Sequence, residues 1–239
     1  MLHGIDISNH QGNNGIQLDK VLPYYDFCIC KATGGNFFVD EFCDGFIQKC
    51  KRMGKLWGFY HFANDGNYSN AIEEADFFYR NCKDYFGEGI PILDWEVNEV
   101  DDDWVNEFVN HIYNLTGIWC WIYGNPWRFT DDVELNCARW IAAYPGWIYE
   151  PEPGFDPGEP PDCNGLVAAW QYASDGCCNG YPGYLDVNVY YGDPHSWHLY
   201  ASGGNEDNFN DDDSIPIYPY VLEDENYKVE IYPKLWYND

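Results

Sequence analysis

The stretch Pro91-Ile92-Leu93-Asp94-Trp95-Glu96-Val97 sets two carboxylates one residue apart at the end of an apolar run. The run reads as a buried strand, and on a strand residues i and i+2 point to the same face, so Asp94 and Glu96 share one wall of an apolar layer. Crowding two carboxylates together forces their pKa values apart, leaving one protonated and one charged. That split suits cleavage of a glycosidic bond, which needs an acid for the leaving oxygen and a charged partner. The same spacing can serve structure alone, with one acid capping a helix or holding an arginine. Two more acids sit at predicted strand ends, Asp6 in GIDIS and Asp186 in LDVNV. No His or Cys accompanies the four at ligand spacing, so neither a metal nor a cofactor is expected. The segments GFYHFA, WIYGNPW, WIAAYP and AAWQYAS instead supply rings and amides, as a sugar cleft does.

Positioning four acids on one rim requires a closed framework. Eight short β-rich segments can be marked: 4–8, 26–33, 56–63, 91–97, 118–124, 139–145, 166–174 and 186–192. Helical patterns fill the early links, at about 41 to 53, 69 to 84 and 101 to 115, the last opening on Asp101-Asp102-Asp103, favourable charge for a helix N-terminus. The alternation then fails. Residues 146 to 165 carry five prolines and cannot hold a long helix. The next link, 175 to 184, has ten residues, fewer than the dozen or so a parallel crossover needs, so the eighth strand should run antiparallel to the seventh. Reversal would bring Asp186 to the rim formed by the C-terminal ends of the other strands, where barrel enzymes keep their chemistry. The expected fold is α/β: an irregular TIM-like β/α barrel of eight strands, with few helices after strand five and an antiparallel last strand.

Composition narrows the partners. Twelve Lys and Arg against 40 Asp and Glu give a net charge of −28, which repels nucleic acid and anionic lipid. Nineteen per cent aromatic residues, with 11 Trp and 21 Tyr, lean toward carbohydrate, although rings also serve plain packing. No apolar run reaches the ~18 residues that span a bilayer, and no basic leader precedes the first strand, so no membrane partner is expected. Of the ten cysteines, Cys28 and Cys30 alternate on one strand, and Cys43 and Cys50 stand two helical turns apart, a rise of ~10 Å that is too far to bridge. Buried free thiols are expected, with Cys163, Cys177 and Cys178 the best candidates for any disulfide.

At this point the chain resembles glycoside hydrolase family 25, the Chalaropsis-type lysozymes of bacteria, fungi and phage endolysins. The resemblance runs from Gly4 to about Gly192 and rests on GIDISNHQG, DFCICKATGG, WGFYHFA, EADFFYRN, PILDWEV, WIAAYP, WQYAS and LDVNVYYGD in the family's order. It implies an N-acetylmuramidase that hydrolyses the β-1,4 bond between N-acetylmuramic acid and N-acetylglucosamine in peptidoglycan glycan strands. Carried over motif by motif, Glu96 is the acid, Asp94 its partner, and Asp6 and Asp186 supporting acids. Tyr60, Tyr123, Trp140, Tyr144 and Gln171 fall in blocks that line the family's groove. One departure is Gly34, where the family often has the glutamate of KATEG. Carboxyls about 5 to 5.5 Å apart would give net retention, with Asp94 as nucleophile or with the substrate's 2-acetamido group attacking.

Residues 194–239 differ in character, with ten acids against two lysines. They are expected to form an acidic linker followed by a hairpin-like extension, with strands at 214–221 and 227–232, beyond a catalytic barrel over 1–193. Such a hairpin is marginal alone and should dock on the barrel or on another chain. With no leader and free thiols, the reading is a phage lytic enzyme made in a bacterial host's cytoplasm and acting on the cell wall. The alternative is a virion tail-associated wall-degrading component whose extension binds a phage structural partner.

Overall fold

The computed structural model describes residues 1–64, 69–98 and 100–204, with the backbone of 220–223 and 228–231. Eight strands close into a barrel: β1 (Leu2–Ile7), β2 (Phe27–Gly34), β4 (Leu56–Phe62), β5 (Ile90–Asp94), β6 (Trp121–Gly124), β7 (Arg139–Ala142), β8 (Val167–Gly176) and β9 (Leu185–Tyr190). A short β3 (Phe38–Val39) folds back antiparallel on β2. Neighbours from β1 through β8 are parallel, whereas β9 runs antiparallel to both β8 and β1, so the link of 177–184 is a hairpin turn, as its length required. All eight expected strands are present.

The expected helices appear as α3 (Cys43–Arg52), α4 (Ala71–Cys82) and α5 (Asp102–Thr116), after two short helical segments, α1 (Asn9–Asn13) and α2 (Leu18–Val21). Asp101 caps α5 through the Trp104 amide, Asp102 and Asp103 sit in its first turn, and Gly117 in the left-handed conformation ends it. Between β7 and β8 no α-helix forms, consistent with the prolines there.

Strand alternation sorts the core into two layers. Ile5, Cys28, Cys30, Phe59, Leu93, Ile122, Trp170 and Val187 face outward and pack with the helices. Phe27, Ile29, Ile90, Ile92, Trp121, Trp140 and Tyr190 face inward and fill the barrel. Residues grouped with the extension on sequence grounds contribute to this inner layer. Pro194–Ser202 forms α6, with a capping box of Asp193 and Ser196, and Trp197 and Ala201 are buried against the barrel's inner residues. Trp197 also donates through Nε1 to the Trp57 carbonyl at 3.2 Å. In the extension, β10 (Tyr220–Glu223) and β11 (Lys228–Ile231) pair antiparallel; the remainder of both expected strands lies outside the described residues.

One expectation needs correction. The segment 91–97 does not continue as a strand: β5 ends at Asp94, and Glu96 is exposed rather than buried beside it. The neighbouring strands β4 and β6 end at Phe62 and Gly124, so the ladder has nothing left to pair with beyond Trp95, whose N–H makes a last bond to the Tyr123 carbonyl at 2.9 Å. The chain turns there, with the Trp95 ring outward and its Nε1 bonded to the Val100 carbonyl at 2.8 Å.

Candidate active site

Toward the C-terminal rim of the parallel strands the inward positions change from apolar to polar. Two residues beyond Gly4 on β1 stands Asp6, beyond Gly58 on β4 stands Tyr60, beyond Ile92 on β5 stands Asp94, and beyond Trp121 on β6 stands Tyr123. Trp140 on β7, Gln171 on β8, and Asn188 and Asp186 on β9 complete the ring. Each position follows from strand parity, and antiparallel β9 brings Asp186 directly opposite Asp6. Thus Asp6, Asp94, Glu96 and Asp186 converge on one mouth. Tyr60 lies among them: burial raises its hydroxyl pKa well above the ordinary value, and the charges of Asp94, Asp6, Asp186 and Glu96 add to the shift, so Tyr60 remains a donor.

The acids are not equivalent. Asp6 is buried, and its Oδ2 accepts from Gln171 Nε2 and Asn188 Nδ2, each at 2.8 Å. Burial pushes its pKa up to about 6, with the two amides pulling down and Glu96 pushing up. Asp186 is raised to about 8 by burial, then by the charges of Asp6 and Glu96. At neutral pH the facing pair therefore retains a proton that two free carboxyls would have lost. Asp94 is 6 % exposed at the foot of the mouth, whereas Glu96 stands at its edge with its side chain open to solvent.

The expected groove residues fall in two tiers. Tyr144 is half exposed at the rim, and Tyr60 is partly buried. Tyr123, Trp140 and Gln171 lie beneath as a bonded floor: Gln171 Oε1 accepts from Tyr123 OH at 2.7 Å and from Tyr144 OH, and Trp140 Nε1 donates to Asn188 Oδ1 at 2.8 Å. The amides thus connect the aromatic floor to Asp6. Gly34, where a glutamate was missing, ends β2 beside Phe62, and Lys31 on the same strand sets its ammonium over the Phe62 and Phe38 rings at 4.6 and 5.1 Å.

Two residues of this arrangement escaped the sequence reading. Asn188 lies within LDVNV, but only the inward parity of Asp186 marks it as a site position. Arg128 comes from the turn after β6 and reaches the Glu96 carbonyl at 2.7 Å; nothing in its local sequence points across to β5. Among the described residues no group of three or more His, Cys, Asp or Glu is placed to hold a metal ion. The ten cysteines are free, seven of them buried.

A closed β/α barrel with an antiparallel last strand, carrying paired carboxylates above an aromatic and amide floor, defines a glycoside hydrolase of the barrel type. Residues 5–181 match the sequence profile of glycosyl hydrolases family 25, and the chain belongs to that family, a glycoside hydrolase of the lysozyme class. Solved structures agree on the fold. The bacterial lysozyme from Streptomyces coelicolor is similar with a TM-score of 0.68 at 22% identity, covering 85% of this chain and 98% of that one. A muramidase from Acremonium alcalophilum gives 0.64 at 25% identity over 85% and 100%. The catalytic domain of endolysin ply40 from bacteriophage P40 of Listeria monocytogenes gives 0.62 at 20% identity over 85% and 98%. No curated protein sequence matches the chain.

Proposed function

We propose that the protein is an N-acetylmuramidase that cuts the β-1,4 bond between N-acetylmuramic acid and N-acetylglucosamine in peptidoglycan, with net retention at the anomeric carbon. The observation that carries this reading is the convergence of four carboxylates of unequal character on one barrel mouth, with Glu96 open to solvent and Asp94 buried below it. Glu96 is the general acid: it alone of the four stands where a bulky leaving sugar can meet it, and it gives its proton to the glycosidic oxygen as the bond breaks. Asp94 faces the anomeric carbon. It acts either as the nucleophile or by orienting the 2-acetamido group whose carbonyl oxygen attacks, and both routes retain configuration. In the second half of the cycle Glu96, now a carboxylate, takes a proton from the incoming water. Asp6, held by Gln171 and Asn188, faces Asp186, and the pair with its one retained proton offers both a charge that favours the cationic transition state and a donor for a sugar hydroxyl or acetamide.

A lysozyme, a muramidase and a phage endolysin among the structural relatives support the peptidoglycan substrate, and a phage lytic enzyme made in a bacterial host's cytoplasm is the setting we favour. Glu96→Gln tests the assignment. The amide keeps the shape but cannot donate, so turnover of purified walls should fall by about 10²- to 10⁴-fold with an unchanged melting temperature. Near-normal turnover would remove Glu96 from the role. Trapping with a 2-fluoro glycoside separates the two retaining routes: a covalent adduct on Asp94 marks it as nucleophile, and inhibition by a thiazoline analogue without an adduct marks the acetamide route.

A further inference from the structure

Glu96 lies two residues beyond the end of β5, past the last rung of the ladder, on a segment that neighbouring strands no longer hold. A general acid must nonetheless be held within a fraction of an ångström of its target. From the geometry we infer that Arg128 is the positioning residue that aims Glu96, by gripping the backbone that carries it; the inference rests on the reading of Glu96 as the acid.

The grip has three points. Arg128 Nη2 donates to the Glu96 carbonyl at 2.7 Å and to Asn98 Oδ1 at 2.8 Å, and Nη1 donates to the Val97 carbonyl at 3.1 Å. Three consecutive residues thus converge on one planar fork, a pattern that a lysine ammonium cannot reproduce. All three bonds go to carbonyl or amide acceptors, so the Glu96 carboxyl is left for the substrate.

The guanidinium also lies against two rings, with its carbon 5.2 Å from the Trp95 ring centre and 5.0 Å from that of Trp127. Arg128 ends the short turn Pro126–Arg128, and its N–H bonds to the Asn125 carbonyl at 3.0 Å. Gly124 lets the two segments approach: a Cβ there would lie 3.1 Å from the Trp95 carbonyl oxygen and 3.7 Å from Arg128 Cδ. Arg128 is 8 % exposed, and Glu96 is the charge that most favours its ionised form against burial. The turn after β6 therefore supplies the anchorage that β5 lacks.

The test uses the full chain and compares Arg128→Lys, Glu96→Gln and the double variant for kcat, KM and melting temperature on solubilised peptidoglycan. Arg128→Lys should lose about 10²-fold in kcat with KM changed little. Because Arg128 acts through Glu96, the double variant should be no slower than Glu96→Gln alone. Asn98→Ala, which removes one exposed acceptor and leaves the arginine in place, should lower kcat in the same sense by a smaller factor, and it decides the matter if Arg128→Lys does not fold. Additive losses in the double variant, or an unchanged kcat in Arg128→Lys or, failing that, in Asn98→Ala, would overturn the positioning role. An active Glu96→Gln would instead overturn the assignment of the acid, and that result is distinguishable from the others.

Discussion

Asp6 and Asp186 oppose each other across β1 and β9, and burial has raised both, to about 6 and about 8. A group whose folded pKa lies above its unfolded value binds more protons in the native state. Its stabilising contribution is complete below the unfolded pKa, about 4, and is lost as pH rises through the folded value. Stability should therefore decline from pH ~4 to ~9, each unit of pKa difference corresponding to about 1.4 kcal/mol. Thermal melts across that range check this, and Asp186→Asn should flatten the upper part; a melting temperature that climbs toward pH ~9 would contradict the assignment. Activity should follow the same pair, falling on the alkaline side as its retained proton is lost. Asp6, Asp94 and Asp186 were legible in the sequence because each stands near an end of a short apolar strand run, at the inward parity of that run. Asn188 and Arg128 were not, since an amide in a strand and an arginine in a turn acquire their roles only when the barrel closes.

At the scale of elements, the strands could be placed within a few residues because alternation and flanking turns mark them well. The two discrepancies have local causes. β5 stops at Asp94 because its neighbours stop, a property of the sheet that one strand's own sequence does not carry. α6 was merged with the acidic tail by composition, yet its signals are present: Asp193-Pro194 with Ser196 at the start and Gly203-Gly204 at the end. Trp197→Ala should cost about 3 to 5 kcal/mol, as for other large core truncations, and a melting temperature within a degree or two of wild type would show that α6 is dispensable. Truncation after Gly204 preserves α6 and removes only the rest of the extension. We propose that the extension docks on the barrel, in which case this truncation lowers the melting temperature substantially. Lost oligomerisation or particle association at an unchanged melting temperature would point to a partner chain instead.

The whole molecule has a net charge of −28 and must approach a wall whose stem peptides are also anionic. Long-range repulsion slows encounter and is screened over about 8 Å at physiological ionic strength. Digestion of intact walls should accordingly speed up as salt rises from about 10 to 150 mM, while hydrolysis of a short neutral glycan should change little; walls digested fastest at the lowest salt would contradict the charge argument. On this charge argument, recognition falls to the cleft rather than to general attraction to the wall. The most direct test of that account is to digest purified peptidoglycan, reduce the products with borohydride and identify the new ends by mass. Reduced N-acetylmuramic acid at every new end is the predicted result, and reduced N-acetylglucosamine ends, or uncut glycan with active-site residues intact, would contradict it.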